Sequence, residues 1–426
     1  MNDYIMEPTG VIVGDELGQI KKIDLLSKSY TSFNLTPSEP LHPSKCVVSI
    51  SPLSFNLLNN NFLIANKANS LFIFDSLSDE LVKVEHNIEN NSSIVCSQCI
   101  DDQNIVIGFK NGSIYRINIE KDLCFATYKP NNKALNLLGI ENLQPQNIDP
   151  QNLPIDVATS KSANESINRE KNNNILNIFE PNWNIDSTYL TCFKACFNRL
   201  AIGGFNSDLK VFDITTGKNT FTAKSNNTDW LGIKHNSWIS GLDWIGNGQE
   251  EPNLVATCSR TDPCVKVYDI KERQRKPIMS ISIKNLNNAN NESNLPSLTS
   301  ICSLPSLTSS ASPSASIVVG TTLGRMLAFD LRLKTRSSKI LGGFNGFSGG
   351  SIRDIKYVRD SQTTCKIFSC SLDRFVRVHT LAKNSRLLDK KVYIKTKPTC
   401  LYPIVLNTLP KLNENTKNAD DDDEFF

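Results

Sequence analysis

Seven times along the chain an apolar strand, a turn of small or polar residues and a second apolar strand follow one another, the second closing on an Asp or its equivalent. The copies read VIVGDELGQIKKIDL from Val11, FLIANKANSLFIFDSL from Phe62, IVIGFKNGSIYRINI from Ile105 and LAIGGFNSDLKVFDI from Leu200. They continue as LVATCSRTDPCVKVYDI from Leu254, IVVGTTLGRMLAFDL from Ile317 and IFSCSLDRFVRVHTL from Ile367. A unit this short cannot bury its own apolar residues, so copies must pack against one another. Strand-built copies pack radially, as blades, and seven are enough to close a ring. The closing positions are Asp24, Asp75, Asn118, Asp213, Asp269, Asp330 and Thr380. Gaps of 51, 56, 61 and 50 residues between neighbours exceed the roughly 40–45 of a WD repeat, while the gap of 43 fits it. The excess is loop. The expected fold is therefore all-β, a seven-bladed WD-type β-propeller.

Each copy extends to four strands, with an apolar strand before the core pair and a more polar one after it. In the last blade these are Ser351 to Val358, Lys366 to Ser371, Phe375 to Leu381 and Lys390 to Lys395. Equivalent inner strands start near Val47, Ile94, Tyr189, Trp238 and Leu298. The first copy has no inner strand of its own, and a spare strand-like run, Thr399 to Leu406, follows the seventh. The C-terminal strand is expected to complete the first blade, which removes an open sheet edge. The strands are almost continuously apolar, as FLIA, IVIG, LAIG and IVVG show. That is the pattern of a sheet covered on both faces.

The propeller is expected over residues 1–406, with 407–426 an acidic, disordered tail. Residues 129–185 and 283–315 are rich in Asn, Ser, Gln and Pro and lack the apolar density of a core, so both are expected to be mobile loops, with a helical turn possible at Asn174 to Phe179. The start, MNDYIMEPTG, does not resemble a signal peptide, and no run is long enough to span a bilayer. A soluble, intracellular protein is expected, with its twelve cysteines reduced.

Catalytic patterns are missing: there is no phosphate-binding G-x-x-x-x-G-K-[ST], no H-E-x-x-H and no G-x-S-x-G. No catalytic residue, cofactor or metal is expected. Cys96 and Cys99 form half of a metal motif, but a three-residue separation on a strand points their side chains to opposite faces, and core packing is the better reading. Cys192 and Cys196 read the same way. The stretch Gly342 to Gly350 leads into a strand, not a helix, and is expected to be a flexible connection between blades six and seven, not a phosphate cradle. Trp230, Trp238 and Trp244 are expected in the core and blade interfaces, in preference to an exposed peptide-binding patch.

The net charge of +3 conceals a basic sector. Residues 325–397 hold seventeen Lys or Arg against five Asp or Glu, a balance of +12. Such a sector is where a polyanionic partner would dock. Within it Arg353, Asp373, Arg374 and Arg377 fall at strand ends or turns, where a propeller exposes side chains, and Lys391 and Lys395 extend a basic edge. Asp373 fits a turn-stabilising role best. For the arginines, recognition of carboxylate or phosphate and internal pairing stand level. These six residues are the candidate partner- or RNA-binding set.

The segment from Gly350 to Leu401 resembles the nucleolar WD-repeat family of Nop-seven-associated protein one. The likeness rests on Gly-Ser-Ile-Arg-Asp from Gly350, Ser-Leu-Asp-Arg-Phe-Val-Arg-Val-His from Ser371, Lys-Val-Tyr-Ile-Lys from Lys391, and Thr399-Cys400-Leu401, with Val-Gly-Asp-Glu-Leu-Gly from Val13 in support. The resemblance implies a non-enzymatic scaffold in assembly of the large ribosomal subunit. It implies a nucleolar location, a monomer within a larger pre-ribosomal particle, contacts with other assembly factors and with ribosomal RNA, and release by an AAA-type ATPase. The family's lysine-rich tail is replaced here by Asp420 to Glu424, and Lys271 to Lys276 or Lys390 to Lys397 are the substitutes for nuclear import. Two other readings of the same fold are a generic WD adaptor of another complex and a phosphoinositide-binding propeller. The second lacks its Phe-Arg-Arg-Gly motif, and no membrane partner is expected.

Overall fold

The computed structural model describes residues 8–405 except 54–59, 87, 89–91, 102–103, 119–122, 126–188, 225–235, 247–250, 273, 284–295, 305–315, 332–339, 348, 360–363 and 383–384. Its strands form seven antiparallel sheets arranged round a central channel. Their innermost strands are, in blade order, Pro398–Val405, Val47–Pro52, Ile94–Cys99, Tyr189–Cys196, Ile239–Ile245, Leu298–Leu304 and Ile352–Arg359. Blade seven is complete, adding Cys365–Ser371, Phe375–Ala382 and Ser385–Tyr393. The expected loop 283–315 thus contains an inner strand, and its remaining stretches 284–295 and 305–315 lie outside the described residues. So do 129–185, the helical turn at 174–179 and the tail 407–426.

Blade three departs from the four-stranded rule. Its sheet holds Ile94–Cys99, Asn104–Phe109 and Ile114–Asn118. The next strand, Leu123–Phe125, pairs instead with Leu81–His86, the outer strand of blade two, and makes that sheet five-stranded.

The C-terminal strand closes the ring as the repeat count demands. Pro398–Val405 lies antiparallel to Pro8–Asp15, with Val11 opposite Pro403, Ile12 opposite Tyr402 and Val13 opposite Leu401. Proline is tolerated here because an innermost strand is an edge strand with one unpaired side. Side chains on successive positions then go to different neighbours. Val11, Val13 and Leu401 join Phe368, Val376 and Val378 of blade seven. Ile12, Cys400 and Ile404 join Ile50, Phe62 and Ile64 of blade two. Every blade repeats this two-sided burial, which is why the strands lack polar alternation.

Two local devices set the spacing of the blades. At the end of the second strand Gly14, Gly108, Gly203 and Gly320 face the next inner strand so closely that an added Cβ would lie 2.5 to 2.7 Å from side chains such as Val47, Leu190, Ile239 and Ile352. Ala65, Cys258 and Cys370 occupy the equivalent places in the other blades. The closing Asp of the repeat caps the turn that follows it: the Asp24 carboxylate accepts from Leu26 N–H at 2.9 Å, that of Asp75 from Leu77 N–H at 2.9 Å and that of Asp213 from Thr215 N–H at 2.9 Å.

Candidate binding face

All seven inner strands carry a β-bulge within two residues of the same end. The extra residues are Thr399, Val48, Val95, Thr191, Ser240, Thr299 and Arg353. A bulge re-aims its side chain, and a ring of seven surrounds one mouth of the channel. Four of them stitch neighbouring blades together. The Thr399 hydroxyl donates to Val47 C=O at 2.6 Å, Ser240 to Leu298 C=O at 2.7 Å, Thr299 to Ile352 C=O at 2.6 Å, and Thr191 to Ile239 C=O. Val48 and Val95 have no hydroxyl to donate, and Arg353 is the one charged residue of the seven. It is exposed, and among the described residues it makes no ion pair or hydrogen bond. Between blades seven and one the bridge is made instead by Asp354, whose carboxylate accepts from Leu401 N–H at 3.1 Å.

The mouth opens as a depression of about 640 Å³. Five of the bulge residues line it, together with Lys110 and Arg260 from the turns after the second strands of blades three and five. Those turns are latched to the inner strands by Lys110 N–H on Ser93 C=O and Arg260 N–H on Trp238 C=O, at 2.9 and 2.8 Å. Each cation then lies on an aromatic ring, Lys110 Nζ at 5.4 Å from the Tyr189 centroid and Arg260 Cζ at 4.8 Å from that of Trp238. Phe205 meets Trp238 edge to face at 5.4 Å and 88°. The lining holds three cations, Lys110, Arg260 and Arg353, and no carboxylate. A concave, one-signed surface of this kind concentrates anions.

From Arg353 a basic radius runs outward along blade seven on the same face. Arg374 occupies the turn between Cys365–Ser371 and Phe375–Ala382. Its backbone is left-handed, φ 68°. The same turn position is held by Gly18, Asn69, Gly112 and Gly324 in other blades, with φ from 61° to 91°. Glycine and asparagine enter this region readily, whereas a longer side chain does so at the expense of about 1–2 kcal/mol. Arg374 is exposed and its Nη1 approaches the Tyr393 hydroxyl at 3.5 Å. Lys391 is exposed with Nζ 4.2 Å from the Phe375 ring centroid, and Lys395, exposed with φ 65°, begins the connection to the closing strand.

Two of the six candidates turn inward. Arg377 has no exposed surface. Its guanidinium pairs with the Asp373 carboxylate, donates from Nη1 to Ser371 Oγ at 2.8 Å and from Nε to Gly346 C=O at 2.8 Å, and lies 4.6 Å from the Phe347 centroid. Burial pushes the Asp373 carboxyl up, but hydrogen bonds from Arg377 and Ser371 outweigh it and hold the group below the usual range. Arg377 and Asp373 are therefore a structural pair. The Arg377 side chain is not available to a partner, which corrects the expectation for it as a contact residue, while the partly exposed Asp373 is committed to Arg377 and Ser371. Sequence reading could not separate Arg377 from Arg374, because the turn that turns one in and the other out also depends on a loop of the preceding blade.

That loop does connect blades six and seven as expected, but it is packed and not a loose link. The described part of Gly342 to Gly350 is packed against blade seven. Phe344 is buried, Phe347 stacks on His379 at 15° and 5.5 Å, and Asn345 C=O lies 2.9 Å from His379 Nε2. Burial holds the His379 imidazole below its ordinary pKa, so it stays neutral. Trp244 is buried as expected and donates to Lys194 C=O at 2.9 Å. Trp238 is instead half-buried at the mouth, and Trp230 lies outside the described residues.

Cys96 and Cys99 do part to opposite cores, one toward blade four and the other toward blade two. Burial pushes the Cys192 and Cys258 thiols up to about 12 and Cys196 to about 11. Such thiols are protonated at neutral pH, which suits core packing better than metal or nucleophilic chemistry. No group of three His, Cys, Asp or Glu among the described residues is placed to hold a metal. No described helix is long and apolar enough to cross a membrane.

Lys110, Tyr189, Phe205 and Arg260 were not singled out from sequence. A signal was present: aligned on their small residues, Gly108 and Cys258, the repeats put Lys110 and Arg260 at one turn position.

No family model and no curated protein sequence matches the chain. Among solved structures it is similar to the crystal structure of the computationally designed Ika8 protein, at 13% identity and a TM-score of 0.50 over 94% of this chain and 90% of that one. It is also similar to the β-propeller domain of Cps50 (Swd1) from Myceliophteria thermophila, at 10% identity and a TM-score of 0.49 over 87% of this chain and 96% of that one. At 13% identity the first likeness concerns the fold alone. The chain is a seven-bladed WD-type β-propeller, an architecture suited to a scaffold or adaptor.

Proposed function

We propose that the chain is a non-enzymatic scaffold that docks through one basic face, and that the particle it serves is the precursor of the large ribosomal subunit in the nucleolus. The observation that carries the docking face is a double exception in the repeat. Arg353 stands where other blades place a Ser, Thr or Val, and Arg374 stands in a left-handed turn where four other blades place Gly or Asn. Neither choice helps the fold: Arg353 makes no inter-blade hydrogen bond and, unlike Val48 and Val95, adds an exposed charge, and Arg374 holds a strained backbone. Strain kept at an exposed arginine is a reason to look for function there.

The ribosomal part of the reading is supported by the sequence resemblance, whose segments from Gly350, Ser371 and Lys391 supply these same residues. A rigid disc with Arg353, Arg374, Lys391 and Lys395 along one radius suits assembly-factor surfaces and the phosphates of ribosomal RNA. The test is recovery of the tagged full chain from cells at moderate salt, with identification of the accompanying proteins and RNAs. Precursor large-subunit RNA and its assembly factors are expected, with several-fold less of both for Arg374→Gly. Recovery of an unrelated complex would overturn the ribosomal assignment, and recovery unchanged by Arg374→Gly would overturn the docking face.

A further inference from the structure

Each aromatic ring at the channel mouth that carries a cation has one face taken by it. Arg260 lies over Trp238 at 4.8 Å, and Phe205 abuts the same indole edge to face. Lys110 lies over Tyr189. These rings hold the cations in place. A guanidinium stacked on an indole keeps its in-plane N–H groups available, and those groups form the fork that takes a carboxylate in two parallel hydrogen bonds. Arg353, on the bulge of blade seven, has no competing partner among the described residues.

Resting on the reading of the chain as a docking platform, we infer that this mouth receives an extended acidic peptide segment of a partner protein, its Asp or Glu side chains meeting Arg260, Arg353 and Lys110. Three properties favour that occupant. The lining carries three cations and no carboxylate, so charge selects an anion. Val95, half-buried, lies in the same depression and gives an apolar side chain between the carboxylates a place to pack. At about 640 Å³ the mouth has room for a few side chains and none for a nucleic-acid duplex. Single-stranded RNA is the less fitting anion, because sequence-tolerant RNA binding depends on open aromatic faces for its bases, and here a cation covers one face of each ring.

The test uses the full chain and fluorescence anisotropy with three labelled probes: a nonapeptide of Asp and Glu around one central Leu, the same peptide with Asn and Gln, and decauridylate. The acidic peptide is expected to bind at low salt, to weaken as salt rises, and to lose at least tenfold in affinity in the Arg260→Ala/Arg353→Ala double variant. Lys271→Ala/Lys276→Ala, which removes as much charge from exposed positions outside the mouth, is expected to change it less than twofold. Thermal unfolding of the double variant within a few degrees of the parent shows that the fold is intact. Equal affinity in parent and double variant overturns the inference. So does equal loss in both double variants, or a mouth-dependent signal from decauridylate without one from the acidic peptide. Should peptide binding fail while the chain still co-purifies with precursor particles, only this inference falls. Should the peptide bind while no ribosomal precursor is recovered from cells, only the ribosomal reading falls.

Discussion

Arg374 and Arg377 lie three residues apart and have opposite roles. The φ of 68° at Arg374 projects one side chain off the face of the disc, while strand alternation and the Phe347 loop draw the other inside. Removing Arg377 leaves the largely buried Asp373 carboxylate without its cation, a change worth about 3–5 kcal/mol in buried pairs. The lower end applies here, since Ser371 Oγ–H and Phe375 N–H still reach that carboxylate. Arg374→Gly does the reverse, because glycine adopts the left-handed turn without steric cost. Denaturant unfolding should therefore show Arg377→Leu destabilised by about 3 kcal/mol, and Arg374→Gly unchanged or stabilised by up to about 1 kcal/mol. Equal midpoints for parent and Arg377→Leu would refute the structural role of that arginine. The sequence showed both residues at a strand end beside Asp373. It did not show which would be buried, because Gly346 C=O and the Phe347 ring come from 25 residues or more upstream.

A blade is specified by more than its apolar strands. The small residue closing each second strand is required by the neighbouring inner strand, and this is the physical meaning of the glycines in IVIG, LAIG and IVVG. At Gly320 an added Cβ would lie 2.5 Å from Ser300 Oγ and 2.7 Å from Ile352 Cγ2. Gly320→Val is expected to lower stability by about 1–3 kcal/mol through overpacking at the interface of blades six and seven. Equilibrium unfolding in urea checks this, and an unchanged midpoint would mean that the blades are not held this closely. At this scale the sequence was readable where strands recur, and the inner strand starts agree with the structure within a residue. The transfer of Leu123–Phe125 to blade two was not readable. Three residues carry no periodic signal, and their pairing depends on which outer edge lies near.

Seven interfaces between blades have seven clusters of buried apolar residues, so the ring is held by contacts that only closure completes. Truncation after Lys397 removes Pro398–Val405, strips Leu401 and Val405 from the contact with blade seven, and leaves the edge of Pro8–Asp15 open. That chain is expected to lose cooperative thermal unfolding and to aggregate, whereas truncation after residue 406 should unfold within a few degrees of the parent. Matching melting curves for the two truncations would contradict closure by this strand. Repeat number, all-β class and the origin of the closing strand were decided by the sequence alone, because apolar periodicity and an unmatched strand are properties of the chain in one dimension. The binding face was decided only by tertiary structure. Lys110, Arg260 and Arg353 are separated by more than 90 residues at each step, and the ring alone brings three solitary charges to one mouth while taking Arg377 out of reach.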